Sequence, residues 1–301
     1  MITNSADCFA EASIKIRGKV FSESDIAALQ LLISAHPDKG RVQLSRIVCE
    51  QYGWTQANGE LQDVACRGIL LKLERRGMVR LPARKGPGRD NTSLPVAVAM
   101  ELALEEIPVE GRLGQFAACR LEKVGPKREE SQRWNGLIQR YHYLGYRPMV
   151  GRSLRYWIKL GDQEVGVIGW GSPSWKLASR DELIGWEPRT REKNLQGIAN
   201  NTRFLIFPWV HVKYLASHVL SLCARQVPVD WKDRYGVELS LFETFVDVSR
   251  YRGTCYKAAN WIHVGESRGS SKSGDSYNYH GQKKAIYVYP LVKDFRKKLC
   301  Q

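Results

Sequence analysis

The sequence predicts a two-part protein: a winged helix-turn-helix over residues 1–92, a connector over 93–130 and a mixed-sheet α/β domain over 131–301. Three observations predict it. Three short amphipathic segments in the first eighty residues run into a basic, Gly/Pro-rich stretch. Eight of the nine Trp lie after residue 130, so the larger core belongs there. Beyond residue 150, β-rich runs alternate with helical patterns, the order of a mixed sheet. The length, 301 residues, suits about two domains. A hydrophobic content of 43% and a charged content of 26% exclude wholesale disorder.

In the first part, Ser22-Glu23-Ser24-Asp25 forms a capping box ahead of Ile26, Leu29 and Ile33, which share one helix face. Pro37 and Gly40 stop that helix. A second helix runs near Val42 to Tyr52 with Leu44, Ile47 and Val48 buried, and Gly53 ends it. After the Asn58-Gly59 turn a third begins near Leu61 and ends at Gly77, with Ala65, Ile69 and Leu73 on its inner face. A β-like segment, Met78–Pro82, leads into a basic loop. The span from Arg67 to Arg89 carries eight basic residues and one acid, Glu74. Arg67, Lys72, Arg75, Arg76, Arg80, Arg84, Lys85 and Arg89 are therefore candidate DNA contacts, the helix offered to the major groove and the wing to phosphate.

In the second part, Leu154–Leu160 and Val165–Trp170 read as a hairpin around Gly161-Asp162. Phe204–Phe207 is a short strand stopped by Pro208, followed by a helix near Lys213 to Arg225. Leu239–Val246 is another strand, Cys255–Trp261 a short helix, and Ile262–Val264 and Ala285–Tyr289 are further strands.

Charge and cysteine usage narrow the function classes. Lys and Arg number 46 against 31 Asp and Glu, a net charge of +15. Residues 250–301 hold 11 basic residues against 3 acids. Such a surplus points to a polyanion, with DNA first. Lys257, Arg268 and Lys272, interleaved with Tyr277, Tyr279 and glycines, suit single-stranded or distorted nucleic acid. The seven Cys form no C-x-x-C, which argues against a disulfide scaffold or a zinc ribbon. No apolar run is long enough for a bilayer, and the first residues lack the pattern of a secretory signal. The expectation is a reduced, cytoplasmic protein with no membrane partner.

Five residues are candidates for catalysis. Glu243 and Asp247, i and i+4 on one strand, are the acids with which a nuclease holds a divalent metal, although an ideal strand separates them by roughly 13 Å. His142, among Tyr141, Tyr143 and Tyr146, is either a general base or a hydrogen-bonded core histidine. Arg203 either clamps a phosphate or pairs with Glu243 or Asp247. Tyr256 is the fifth. Cys255 beside it is an activated thiol or a small buried residue.

Several motifs occur in order: Arg140-Tyr141-His142-Tyr143-Leu144-Gly145-Tyr146, Arg180-Asp181, Ile184-Gly185-Trp186, Asn200-Asn201-Thr202-Arg203-Phe204-Leu205-Ile206, Leu215-Ala216-Ser217, Glu243-Thr244-Phe245-Val246-Asp247, and Gly253-Thr254-Cys255-Tyr256-Lys257-Ala258-Ala259-Asn260-Trp261. Together they resemble the DruA family of the Druantia anti-phage systems, a domain type also found beside insertion-sequence transposases. The resemblance implies phage defence or mobile-element biology, and in defence a helicase-like partner protein. The order from Phe204 to Val264 also resembles the GNAT acyltransferases, which makes the expected second domain GNAT-like. In that likeness Tyr256 and Ala259-Asn260-Trp261 fall where the GNAT Tyr and Gly-aromatic pair stand. The phosphate-cradling glycine loop is missing, since Trp209–Ala216 contains no Gly. Acetyl-CoA is therefore not expected as a cofactor. The expected function is a defence protein binding foreign DNA. Two alternatives stay open: a nuclease, nickase or nucleic-acid-modifying enzyme, and a transposase-associated DNA-binding accessory protein.

Overall fold

A β-hairpin, not a helix, opens the described part of the chain. The computed structural model describes residues 13–83, 106–149, 151–273, 276–279 and 281–301, and the chain divides into two units, 1–89 and 90–301. In the first, β1 (Ile14–Ile16) and β2 (Lys19–Phe21) pair antiparallel around Arg17 and Gly18. Both turn residues have positive φ, as a two-residue hairpin turn requires. The sequence reading missed this hairpin because three-residue strands carry too little alternation to register.

Three helices follow: α1 (Glu23–Ser34), α2 (Arg41–Gln51) and α3 (Asp63–Arg75). The capping box forms as the sequence predicts. The Asp25 amide donates to Ser22 Oγ at 3.2 Å, and the Ser22 amide donates to the Asp25 carboxylate at 2.9 Å. Leu29, Ile33, Leu44, Val48, Ile69 and Leu73 make the core of this unit. Met78–Pro82 forms no strand, contrary to expectation. Side chains hold it instead: Gln30 donates to the Met78 carbonyl at 2.8 Å, and the Leu81 amide donates to Glu74 at 3.2 Å. The basic loop beyond it, with Arg84, Lys85 and Arg89, lies outside the described residues.

The second unit contains β3 (Val109–Arg112), β4 (Cys119–Lys123), α4 (Arg128–Tyr141), β5 (Ser153–Leu160) and β6 (Gln163–Gly171). Then come α5 (Ala178–Ile184), α6 (Pro188–Asn194), β7 (Ile198–Ile206), β8 (Val210–Lys213), α7 (Leu215–Tyr235) and β9 (Leu241–Asp247). The unit closes with α8 (Thr254–Ala258), β10 (Ile262–Glu266), β11 (Ser270–Ser273), β12 (Ser276–Tyr279), β13 (Lys284–Pro290) and α9 (Phe295–Cys300). Seven strands form a mixed sheet in the order β10-β13-β9-β7-β6-β5-β4. The unit is thus α/β with a multistranded mixed sheet.

The 93–130 connector needs correction. Residues 119–123 are the edge strand β4, paired with β5, and residues 109–112 are β3, paired with β8. Short, charge-interrupted edge strands read as linker because only one side of each is covered. Trp134, Tyr156, Trp170, Trp231 and Phe242 are fully buried in the main core, as the Trp distribution requires. Among the described residues, no helix is long and apolar enough to cross a membrane.

Candidate functional site

Within the sheet, β7 and β9 are parallel neighbours, and their ladder runs only from Ile198↔Leu241 to Asn201↔Thr244. Past that point β7 stays with β6 and β9 stays with β13. A bulge accompanies the parting: Gly169 faces Arg203 and Trp170 faces Asn201, leaving Thr202 as the extra residue. A cleft of about 350 Å³ opens between the diverging carboxyl ends. Open α/β sheets bind ligands at that kind of place, and small-molecule pockets begin near roughly 300 Å³.

Four of the five predicted catalytic residues meet here: His142, Arg203, Asp247 and Tyr256 all line the cleft. Glu243 does not. It is fully buried, accepting from Arg180 Nη1 at 2.6 Å and from the Ser174 amide at 2.7 Å. Arg180, equally buried, also bridges to Asp181 at 2.7 Å. The Glu243–Asp247 metal pair is thereby corrected, because one acid neutralises an interior guanidinium. Among the described residues, no three His, Cys, Asp or Glu side chains converge as a metal set.

The floor of the cleft is a closed hydrogen-bond network. Tyr256 donates its hydroxyl to Asn201 Oδ1 at 2.8 Å, Asn201 Nδ2 donates to the Gly169 carbonyl at 3.1 Å, and Thr244 donates to the Asn201 carbonyl at 3.1 Å. Burial pushes the Tyr256 hydroxyl far above its usual range. Burial also raises the Cys255 thiol, so of the two readings offered by the sequence the small buried residue fits.

The wall is cationic. Arg203 Nη1 donates to the Thr202 carbonyl at 2.7 Å and its Nε to the Gly145 carbonyl at 3.2 Å. Both acceptors are neutral, and among the described residues no carboxylate lies within ion-pair distance of it. The expected alternative, pairing with Glu243 or Asp247, is not formed. Burial lowers the pKa of Arg203, as it does that of Lys284, which faces Asp247 in the β9–β13 register. The positive charges of Arg203 and Arg147 lower Lys284 further, while Asp247 pulls the other way.

His142 is held neutral. The Leu144 amide donates to its Nδ1 at 3.3 Å, so the remaining ring proton sits on Nε2. Burial, and after it the charges of Arg203 and Lys284, bring its pKa down to about 4. With Nδ1 taken by the Leu144 amide, the other ring nitrogen, Nε2, carries the proton at neutral pH and presents a donor. Asp247 is a turn-holder. It accepts from Ser249 Oγ at 2.6 Å and from the Ser249 amide at 3.1 Å, which keeps its carboxyl below the usual carboxylate range despite burial. Its carbonyl accepts from the Arg250 and Tyr251 amides.

That turn builds the rim. Tyr143 stands 5.4 Å from Tyr251 and 4.9 Å from the His142 ring, and the Arg250 guanidinium lies 5.4 Å from the Tyr143 ring centre. Gly253, at φ 66°, closes the turn where a Cβ would come 2.8 Å from the Tyr287 hydroxyl oxygen. The sequence reading passed over Asn201, Tyr251 and Lys284 as site residues. The signal for Tyr251 was present in Arg250-Tyr251-Arg252-Gly253, a ring between two cations just after a strand.

None of the predicted nucleic-acid contacts among the described residues is a lining residue of the cleft. Arg67 is paired with Asp63 at 2.9 Å, and Lys72 is half-buried. Arg75, Arg76 and Arg80, at and beyond the end of α3, are exposed. Lys257 on α8 and Arg268 after β10 are exposed as well. Lys272 lies on β11, opposite Tyr277 of β12 in register.

The sequence model of the DruA family, described as Druantia protein DruA, matches residues 102–278. A curated protein of that description from Escherichia coli (strain UMEA 4076-1) is 35% identical over 82 residues, covering 25% of this chain. The match spans 20% of that relative's length. Similar solved structures include an N-acetyltransferase from Staphylococcus aureus Mu50, 8% identical with a TM-score of 0.36 over 58% of this chain and 99% of that one. Another is an aminoglycoside acetyltransferase in complex with coenzyme A, 12% identical with a TM-score of 0.37 over 60% and 98%. At such scores the likeness carries no weight for the site.

Proposed function

The chain belongs to the DruA family, and from that premise we propose that it acts in defence against phage as a nucleic-acid-binding protein, gripping a phosphate backbone in the cleft between β7 and β9. The observation that carries this reading is Arg203: a largely buried guanidinium whose partners among the described residues are backbone carbonyls, next to Lys284, Arg147 and the Nε2–H donor of His142. A cation left without its counter-charge in a half-enclosed site is arranged for an anion from outside. The net charge of +15 favours a polyanion over a small metabolite.

The exposed Arg75, Arg76 and Arg80, with the basic loop after them, supply a second contact surface for duplex DNA, in the manner of a winged helix-turn-helix. The β7–α7–β9 crossover supports a GNAT-like arrangement of the second unit. Acetyl-CoA does not fit its residues. Tyr214, at φ 69°, occupies the N-cap of α7, and no glycine stands between Pro208 and that helix to let pyrophosphate approach the backbone closely. Strand cleavage is not part of the reading, because Glu243 is committed to Arg180.

The test is binding of fluorescent oligonucleotides to the full chain. Affinity is expected to fall at least roughly tenfold between about 50 and 200 mM salt. Arg203→Gln is expected to lower the salt slope by about one contact. No binding at low salt overturns the proposal, and an unchanged Arg203→Gln overturns its placement in the cleft. A plaque assay with and without the gene and its neighbours tests the defence role.

A further inference from the structure

The cleft has two chemically different parts, and the pairing narrows the ligand. Its wall presents donors and cations, Arg203 and His142, with Lys284 beside them. Its mouth presents the rings of Tyr143 and Tyr251, with Tyr251 51% exposed. Arg250 lies against the Tyr143 ring and does not cover Tyr251 from solvent. Among the described residues the carboxylate that lines the cleft is Asp247, which accepts from Ser249 and lies 3.9 Å from the Arg250 guanidinium. An inorganic anion would use the wall and leave the rings unused; a purely apolar ligand would bury uncompensated charge.

Resting on the reading of the cleft as a nucleic-acid site, we infer that it receives one nucleotide unstacked from a strand, its phosphate on Arg203 and Lys284 and its base against Tyr251 and Tyr143. Every base has a π-face, so a tyrosine shelf accepts any base without hydrogen-bond readout. The floor fits this division. Tyr256, Thr244 and Asn201 each spend their O–H or N–H donors within the floor, leaving none of these donors for recognising a base edge. A paired base cannot reach the shelf without leaving its stack, which favours single strands over duplex.

The test uses the full chain and three fluorescent ligands of equal length: a DNA single strand, the same strand with its bases removed, and the blunt duplex. The single strand is expected to bind on the order of tenfold more tightly than the abasic strand, which keeps every phosphate. Tyr251→Ala is expected to erase that difference while leaving abasic binding unchanged, and Tyr251→Phe to retain it. Tyr251 is half-exposed, so its truncation leaves the core intact. Equal binding of the normal and abasic strands, or a Tyr251→Ala that weakens both alike, overturns the inference and leaves the nucleic-acid reading standing. Failure of all three ligands overturns that reading and the inference together. A thymidine monophosphate that competes as well as the strand, mole for mole, assigns the cleft to free nucleotides and overturns the strand assignment.

Discussion

A buried acid is defined by what it touches, and Glu243 touches Arg180. Both side chains are fully enclosed, and the 2.6 Å contact is reinforced by the Ser174 amide and by Asp181. Removing one partner of such a pair strands the other charge in the interior, at a cost of about 3–5 kcal/mol. Glu243→Ala is therefore expected to lower unfolding stability by about that amount, read by chemical denaturation. Oligonucleotide binding by the fraction that remains folded is expected to stay intact. At this scale the sequence showed which residues carry charge but not how each is spent. Glu243 and Asp247 look alike at i and i+4, yet one answers a guanidinium brought from α5 and the other a serine two residues on. His142 could be seen as chemically distinctive. Its tautomer follows from one amide, that of Leu144, whose orientation depends on how the chain leaves α4.

Elements were legible where a local device marks them. The Ser22 box places the start of α1 to the residue, and Ser22→Ala is expected to cost about 1 kcal/mol in thermal or chemical unfolding. Gly161-Asp162 marks the β5–β6 hairpin. Elements whose identity is set by a distant partner were not legible. Strand β4 is a strand because β5 lies beside it, and β7 begins at Ile198, well before Phe204, because Asn200 and Asn201 are fixed by β6 and β9. Two asparagines in a row argue for a turn by propensity, and tertiary pairing overrides that preference.

For the molecule as a whole, the low His142 pKa has a thermodynamic consequence. The ring takes up a proton near its ordinary 6.5 when unfolded but only near about 4 when folded, so between those values the unfolded state binds more protons. Its contribution to stability is complete above about 6.5, falls as the pH drops, and is gone below about 4. Asp247, held below 3.8, adds a loss at still lower pH, since its stabilising bonds need the carboxylate. Melting temperatures from pH 7 to pH 4.5 are expected to fall less steeply in His142→Gln than in the unsubstituted chain. An equal slope in both would show that the ring does not carry this term. A bound polyphosphate opposes the effect by neutralising the charges that keep the imidazole deprotonated, so the acid sensitivity is expected to shrink in the complex.

The unmatched Thr202 in β7 sets handedness at one position. Side chains alternate between the two sides of a strand, so the single surplus residue shifts everything from Arg203 to Ile206 by half a pleat relative to a regular ladder. Paired without the bulge, Thr202 would face Gly169 and Arg203 would face Ile168, which puts the guanidinium on the opposite side of the sheet with the buried Ile168 and Trp170. The bulge at Thr202 thus decides on which side of the sheet this arginine stands.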